Sequence, residues 1–384
     1  MRVKDGRGTR LSFGPSWIAL LTETDTASII TGLQVGASQG CLMALLALAL
    51  TAPLFFVHEV AGSLGPASGM GIGGAVRKLY GRSPMTVGYI SLMALSDVVG
   101  YIAQYSGIAL ALQLLGLPTM LDFVVALPLT VIMAHMSGSW RIRATLLALS
   151  MLLVGTIMAS AFMSHPAATC VGGMNALRMG ASFYYTMAAL VGATISPWSV
   201  AFHSGARRLR IESRALRLEI LTGALASQLI MAVAIMDGAA GGSAASGGIH
   251  EMLRSLGSVA PYLLSAAFIG GSLLAISAIA MTSSWRIMSI GAKRGALAFE
   301  IVPIVEGTVA ASIVAFVGDP LALLVGSMVA VTLILPPQFY VLGRVASEEI
   351  MGSYRLKGPR ALAYWLSAAF VALSGAIAVI MMVV

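Results

Sequence analysis

Stretches of about twenty predominantly apolar residues, the length that spans a bilayer as a helix, recur along this chain of 384 residues. Eleven can be marked, near residues 14–36, 41–62, 85–115, 120–138, 143–164, 181–204, 214–237, 258–288, 299–318, 320–343 and 361–384. In hydrocarbon a segment must satisfy its own backbone polar groups, which a lone strand cannot do and a helix can. The expected fold class is therefore an all-α integral membrane protein with eleven transmembrane helices. Composition agrees: only 10% of residues are charged, against roughly 25% in soluble domains, which excludes a water-soluble globule. The first stretch does not read as a cleaved signal peptide, because Glu23 and Asp25 interrupt its apolar run and no small-residue cleavage site follows.

Lys and Arg test these spans, because they were not used to draw them. With the amino terminus inside, 21 of the 23 basic residues fall on the inner side, and Arg178 and Arg254 alone fall outside. The net charge of +8 is then a topological signal and not a nucleic-acid footprint. The expectation is a multi-pass protein of the cell membrane, its amino terminus cytoplasmic and its carboxyl terminus extracytoplasmic. The longest connections are 63–84, 165–180 and the Gly/Ser/Ala-rich 238–257, which reads as a flexible external loop. The run of Gly and apolar residues from Gly69 to Gly74 has no strand before it and reads as a helix-linking turn. Cys41 and Cys170 are far apart, lack a metal-type spacing and read as two free thiols. His58, His135, His165, His203 and His250 are scattered, no hydrolase or phosphate-binding motif stands out, and neither an enzyme nor a cofactor is expected.

Acidic residues at membrane depth are costly and usually functional. Most of the 15 here fall at span ends or in loops. Glu59 and Glu306 read as parts of structural networks, and Glu219 as an interfacial partner of nearby arginines. Span 1 differs: Thr22, Glu23, Thr24, Asp25, Thr26 and Ser28 cluster in its middle. Such a run makes a poor continuous helix but can satisfy backbone groups freed by unwinding. Span 6 has a counterpart in Gly192-Ala-Thr-Ile-Ser-Pro-Trp-Ser199, where Pro197 lacks a donor. Two interrupted helices, each first in a five-helix half, point to a midplane binding site in an inverted-repeat transporter. The halves divide as residues 1–164 and 165–345, with 346–384 as an additional helix.

At these residues the sequence resembles the NRAMP family of divalent-metal transporters, whose span 1 carries Asp-Pro-Gly-Asn and span 6 carries Met-Pro-His. The likeness covers almost the whole chain. It includes Gln34 and Gly36, the segment from Gly107 to Pro118 and the segment from Leu333 to Pro336. The implied fold is the LeuT-type 5+5 inverted repeat with broken helices 1 and 6. The implied metal ligands are Asp25 and the Ala193 carbonyl, with Ser28 standing where the family has Asn and Ser196 where it has Met. Losing the soft thioether removes a preference for transition metals, whereas carboxylate, hydroxyl, carbonyl and water suit harder ions. The smaller side chains also leave room for the water that Mg²⁺ keeps. This pattern is similar to that of the NRAMP-related magnesium transporters. At the family's proton-route positions stand Trp198, Gln104 and Tyr101, none of which carries protons near neutral pH. His203 is retained and Asp97 lies one turn before Tyr101.

These residues imply uptake of hard divalent cations, Mg²⁺ favoured and Mn²⁺ possible, without obligatory proton coupling. Glu23 adds negative potential or holds shell water, Asp97 and Gln104 face an aqueous path, and Trp198 narrows that path or fills volume. A proton-coupled Mn²⁺/Fe²⁺ importer and a sodium-coupled organic solute carrier are the alternative readings. The expected partners are the cation substrate and membrane lipid.

Overall fold

The computed structural model describes residues 15–136, 140–165, 170, 179–206, 213–241, 249–289 and 296–383. Among them all regular structure is helical. Arg2, Lys4, Asp5, Arg7, Arg10, Arg178, Arg207, Arg208, Arg210, Glu212, Lys293 and Arg294 lie outside the described residues, as do the side chains of His135, Arg141, Arg143, His250, Glu251 and Glu300. The chain begins with α1 (Pro15–Leu21), a 3₁₀ turn (Thr22–Thr24) and α2 (Thr26–Gln39). There follow α3 (Met43–Ala49), α4 (Thr51–Ser68), α5 (Ile72–Tyr80), α6 (Pro84–Leu114), α7 (Leu121–Met136) and α8 (Trp140–Ser164). The second half holds α9 (Ala181–Thr194), α10 (Pro197–Ala206), α11 (Ser213–Gly241), α12 (Ile249–Leu256), α13 (Ala260–Ser289), α14 (Ala296–Val317), α15 (Pro320–Ala346) and α16 (Gly358–Val383).

Among the described residues six helical segments are long and apolar enough to cross a membrane: Met43–Ser68, Pro84–Leu114, Arg214–Gly241, Met252–Arg286, Pro320–Ala346 and Gly358–Val383. The chain is thus a multi-pass membrane protein. Small residues set its closest helix contacts, as expected where packing and not water exclusion drives association. Along the α2–α11 seam, a Cβ on Gly36 would collide with the Ile235 carbonyl and one on Gly238 with the Leu33 carbonyl. Both glycines let the backbones touch. α6 forms the other axis of the molecule, with α13 and α15 packed along it.

Three expectations are corrected. The 238–257 segment is not one loop: α11 runs on to Gly241 and Ile249–Leu256 is a helix, because Ala239 and Ala240 are good helix formers. Span 2 likewise continues to Ser68, where Gly69 at φ 72° ends it and begins the predicted turn. Cys41 and Cys170 are not free thiols but a disulfide, their Cα atoms 5.6 Å apart across 129 residues of sequence. Cys41 follows α2 directly and Cys170 lies between α8 and α9, so folding brings together two connections that spacing alone could not relate.

Candidate functional site

Both expected helix breaks are present, and each follows from its local sequence. In the first, the hydroxyls of Thr22 and Thr24 donate to the carbonyls of Ala19 (2.6 Å) and Leu21 (2.9 Å), satisfying carbonyls freed at the end of α1. Asp25 then turns extended (φ −78°, ψ 177°) and caps α2, its Oδ1 accepting from Ser28 N at 2.8 Å. In the second, Ile195 is extended (φ −129°, ψ 109°) and Pro197 opens α10, a position where its missing N–H costs nothing. The same proline leaves the Ala193 carbonyl without an intrahelical donor four residues on.

The residues named by the sequence lie at these two breaks, which Ser196 N joins by donating to Glu23 Oε2 at 3.0 Å, and are sealed from solvent. Asp25, Ala193, Ser196 and Gln104 are fully buried and Ser28 nearly so. Gln104 Nε2, from α6, donates to Asp25 Oδ2 at 2.6 Å. The Oγ atoms of Ser28 and Ser196, Thr194 Oγ1 and Gln104 Oε1 are buried without a hydrogen-bond partner. Thr194 is not among the residues the family resemblance picks out, although its place beside the break marks it. The Asp25 carboxylate with neutral oxygens around it suits a hard cation that keeps part of its water. Among the described residues no three or more His, Cys, Asp or Glu side chains are grouped so that they could hold a metal ion between them.

The accessory residues divide differently from the expectation. Glu23 does not offer open oxygens to shell water: Oε1 lies 3.0 Å from His58 Nε2, and Ser196 N donates to Oε2 at 3.0 Å. It therefore ties the two breaks to each other. Two of the five scattered histidines converge, with His58 Nδ1 3.1 Å from His203 Nδ1 and His203 Nε2 3.1 Å from Ser16 Oγ. Ser16 N in turn donates to Glu219 Oε1 at 3.2 Å, so Glu219 also holds the start of α1. Asp97 does not line an aqueous path. It is fully buried in an ion-pair cluster, where Arg286 bridges Asp97 and Glu306. Ser283 Oγ sits 3.0 Å from Asp97 Oδ2 and 2.8 Å from Glu306 Oε2. Trp198 is fully buried with its ring against Gly100, where a Cβ would come within 2.8 Å. Glu59 pairs with Arg217 at 2.6 Å and Arg360 at 2.7 Å, the structural network expected of it.

Separate from this sealed centre is a cavity of about 740 Å³ whose walls include Gln34, Gln113, Tyr185 and Asp319. Gln34 is nine residues beyond Asp25 along α2, about 13 Å at 1.5 Å per residue. The cavity thus sits above the site toward the disulfide end of α2.

The Nramp family, described as natural resistance-associated macrophage protein-like, matches residues 16–381. The chain belongs to this family. The Nramp chain is 23% identical over 286 residues to the divalent metal cation transporter MntH of Mycobacterium tuberculosis, covering 69% of this chain and 67% of that one. A protein of the same name from Deinococcus radiodurans is 25% identical over 204 residues, 52% of this chain and 47% of the relative. In three dimensions the Nramp chain is similar to a histidine mutant of the Eremococcus coleocola manganese transporter, with a TM-score of 0.77, 17% identity and coverage of 98% and 88%. It is also similar to Mhp1, a nucleobase-cation-symport-1 family transporter, at a TM-score of 0.61 and 18% identity, covering 97% of this chain and 91% of that one. These likenesses show a shared fold, in agreement with the LeuT-like arrangement that the resemblance implies.

Proposed function

We propose that this Nramp chain takes hard divalent cations into the cell, Mg²⁺ in preference and Mn²⁺ also, through a site formed by Asp25, Ser28, the Ala193 carbonyl and Ser196. The observation that carries this reading is the buried carboxylate of Asp25 at a helix break whose Ser28, Thr194 and Ser196 hydroxyls are buried without a partner. A hydroxyl stands at position 196, where a sulfur ligand would favour softer ions. The relatives named divalent metal cation transporters support cation transport in general.

The transport frame is eleven spans in two inverted five-helix repeats, residues 1–164 and 165–345, followed by 346–384, in the plasma membrane with the amino terminus cytoplasmic. The disulfide at the far end of α2 supports that orientation, since disulfides persist on the oxidising side of a membrane. Uptake needs no obligatory proton. A divalent cation gains roughly 4.6 kcal/mol per 100 mV, enough for accumulation on the order of a thousandfold.

The second reading, a proton-coupled Mn²⁺ or Fe²⁺ importer, is favoured by the His58–His203 contact and by the likeness to a manganese transporter. Ser196→Met tests whether position 196 belongs to the cation site. Adding a thioether at the break should improve binding of Mn²⁺ and Cd²⁺ relative to Mg²⁺ by about tenfold, or 1.4 kcal/mol, in competition calorimetry on the purified protein. An unchanged ratio would remove Ser196 from the cation site.

A further inference from the structure

Gln104 presents the site with both ends of a primary amide. Its Nε2 donates to Asp25 Oδ2 at 2.6 Å, while its Oε1 is buried and accepts nothing. Leaving a buried acceptor unmet is unfavourable, and the donor is engaged by the one carboxylate of the cation site. A half-turn about the last side-chain torsion, which has a broad and nearly twofold profile, exchanges these ends without moving the backbone. The exchange would replace an N–H donor beside Asp25 by a neutral, hard oxygen ligand.

The backbone of α6 is set to hold Gln104 in place for this. Positions 100, 104 and 107 share one helix face. At Gly100 the ring of Trp198 from α10 lies against the helix, and at Gly107 a Cβ would come within 2.8 Å of both Thr26 Cγ2 and Ser272 Oγ. The two glycines draw α6 against both broken helices, one turn to either side of Gln104. The amide is therefore anchored beside Asp25, and only its terminal torsion is left to answer the charge next to it. With the site empty, an anionic carboxylate favours the NH₂ end. With a divalent cation bound, the same NH₂ would face a positive charge and the oxygen end is preferred.

We propose that Gln104 is a two-position cation ligand, holding Asp25 through Nε2 in the empty site and turning Oε1 to the cation, or to a water bound to it, in the loaded site. This rests on the reading of Asp25 as the charged ligand. Gln104 thereby supplies an oxygen that the two broken helices do not.

Isothermal titration of the full-length protein with MgCl₂ and with MnCl₂, for wild type and Gln104→Leu, separates this role from a merely structural one by the sign of the effect. If Gln104 only props the empty carboxylate, removing its donor leaves Asp25 less satisfied and cation binding tightens. A ligand role predicts the reverse, at least a tenfold weaker Mg²⁺ affinity with the thermal midpoint kept. Gln104→Glu, which keeps Oε1 and puts a second oxygen in place of the donor, should bind at least as tightly as wild type. Should Gln104→Leu fail to fold, infrared difference spectra with ¹³C-labelled glutamine decide: a Mg²⁺-induced shift of a side-chain carbonyl band is expected in wild type and not in Gln104→Asn. Equal or tighter binding by Gln104→Leu, or no such band shift, overturns the Gln104 proposal alone. A wild type that binds neither metal overturns the cation-site reading and this proposal together.

Discussion

Asp25→Asn is expected to weaken Mg²⁺ binding by at least a hundredfold, about 2.7 kcal/mol, and to abolish uptake into liposomes. Asn retains most of what Asp25 does for the fold. It is an equally good helix cap, so the bond from Ser28 N that starts α2 has an acceptor in the variant. What is lost is the charge. Unit charges near 4 Å attract by about 4 kcal/mol at an effective dielectric of 20, and a divalent ion doubles that. Desolvation of the ion offsets part of the gain, yet the neutral oxygens of Ser28, Ser196 and Ala193 cannot replace the lost charge. Calorimetry and tracer uptake measure the effect, with the thermal midpoint as a control for folding. Retained uptake would exclude Asp25 as the charged ligand.

Arg286→Leu is expected to have the largest effect on stability. The guanidinium joins Asp97 of α6 and Glu306 of α14 from its place on α13, and removing it leaves two carboxylates facing Ser283 in the protein interior. Breaking a buried ion pair by deleting one partner costs about 3–5 kcal/mol. The thermal midpoint in detergent should fall sharply and the monodisperse fraction with it. Asp97→Asn should be much milder, because Arg286 and Glu306 then remain as a one-to-one pair. Equal losses for the two variants would contradict this account of the cluster.

The broken helices were legible because their causes are local. Six polar residues in seven around Asp25 cannot continue an apolar helix, and Pro197 interrupts the next one wherever the chain is placed. Spans were legible for a similar reason, since hydrocarbon thickness imposes a length. Partners across the fold were not. Cys41 and Cys170 are 129 residues apart, His58 and His203 are separated by 145, and only packing brings either pair together. Arg286 shows how a sound rule can mislead locally. A basic residue near a span end reads as a loop charge under the positive-inside pattern, yet two acids on neighbouring helices allow it to be buried. Glu23 was visible as an acid in the break, but its role in joining the breaks depends on where Ser196 N points, which no spacing encodes.

The central claim is transport of a hard cation through a site built on Asp25. Uptake of Mg²⁺, Mn²⁺ and Cd²⁺ into proteoliposomes, with an inside-negative potential and a pH indicator within, tests it most directly. Saturable Mg²⁺ uptake that Cd²⁺ competes with weakly, at constant internal pH, is the predicted result. Strong Cd²⁺ uptake accompanied by internal acidification, with Mg²⁺ excluded, would contradict it.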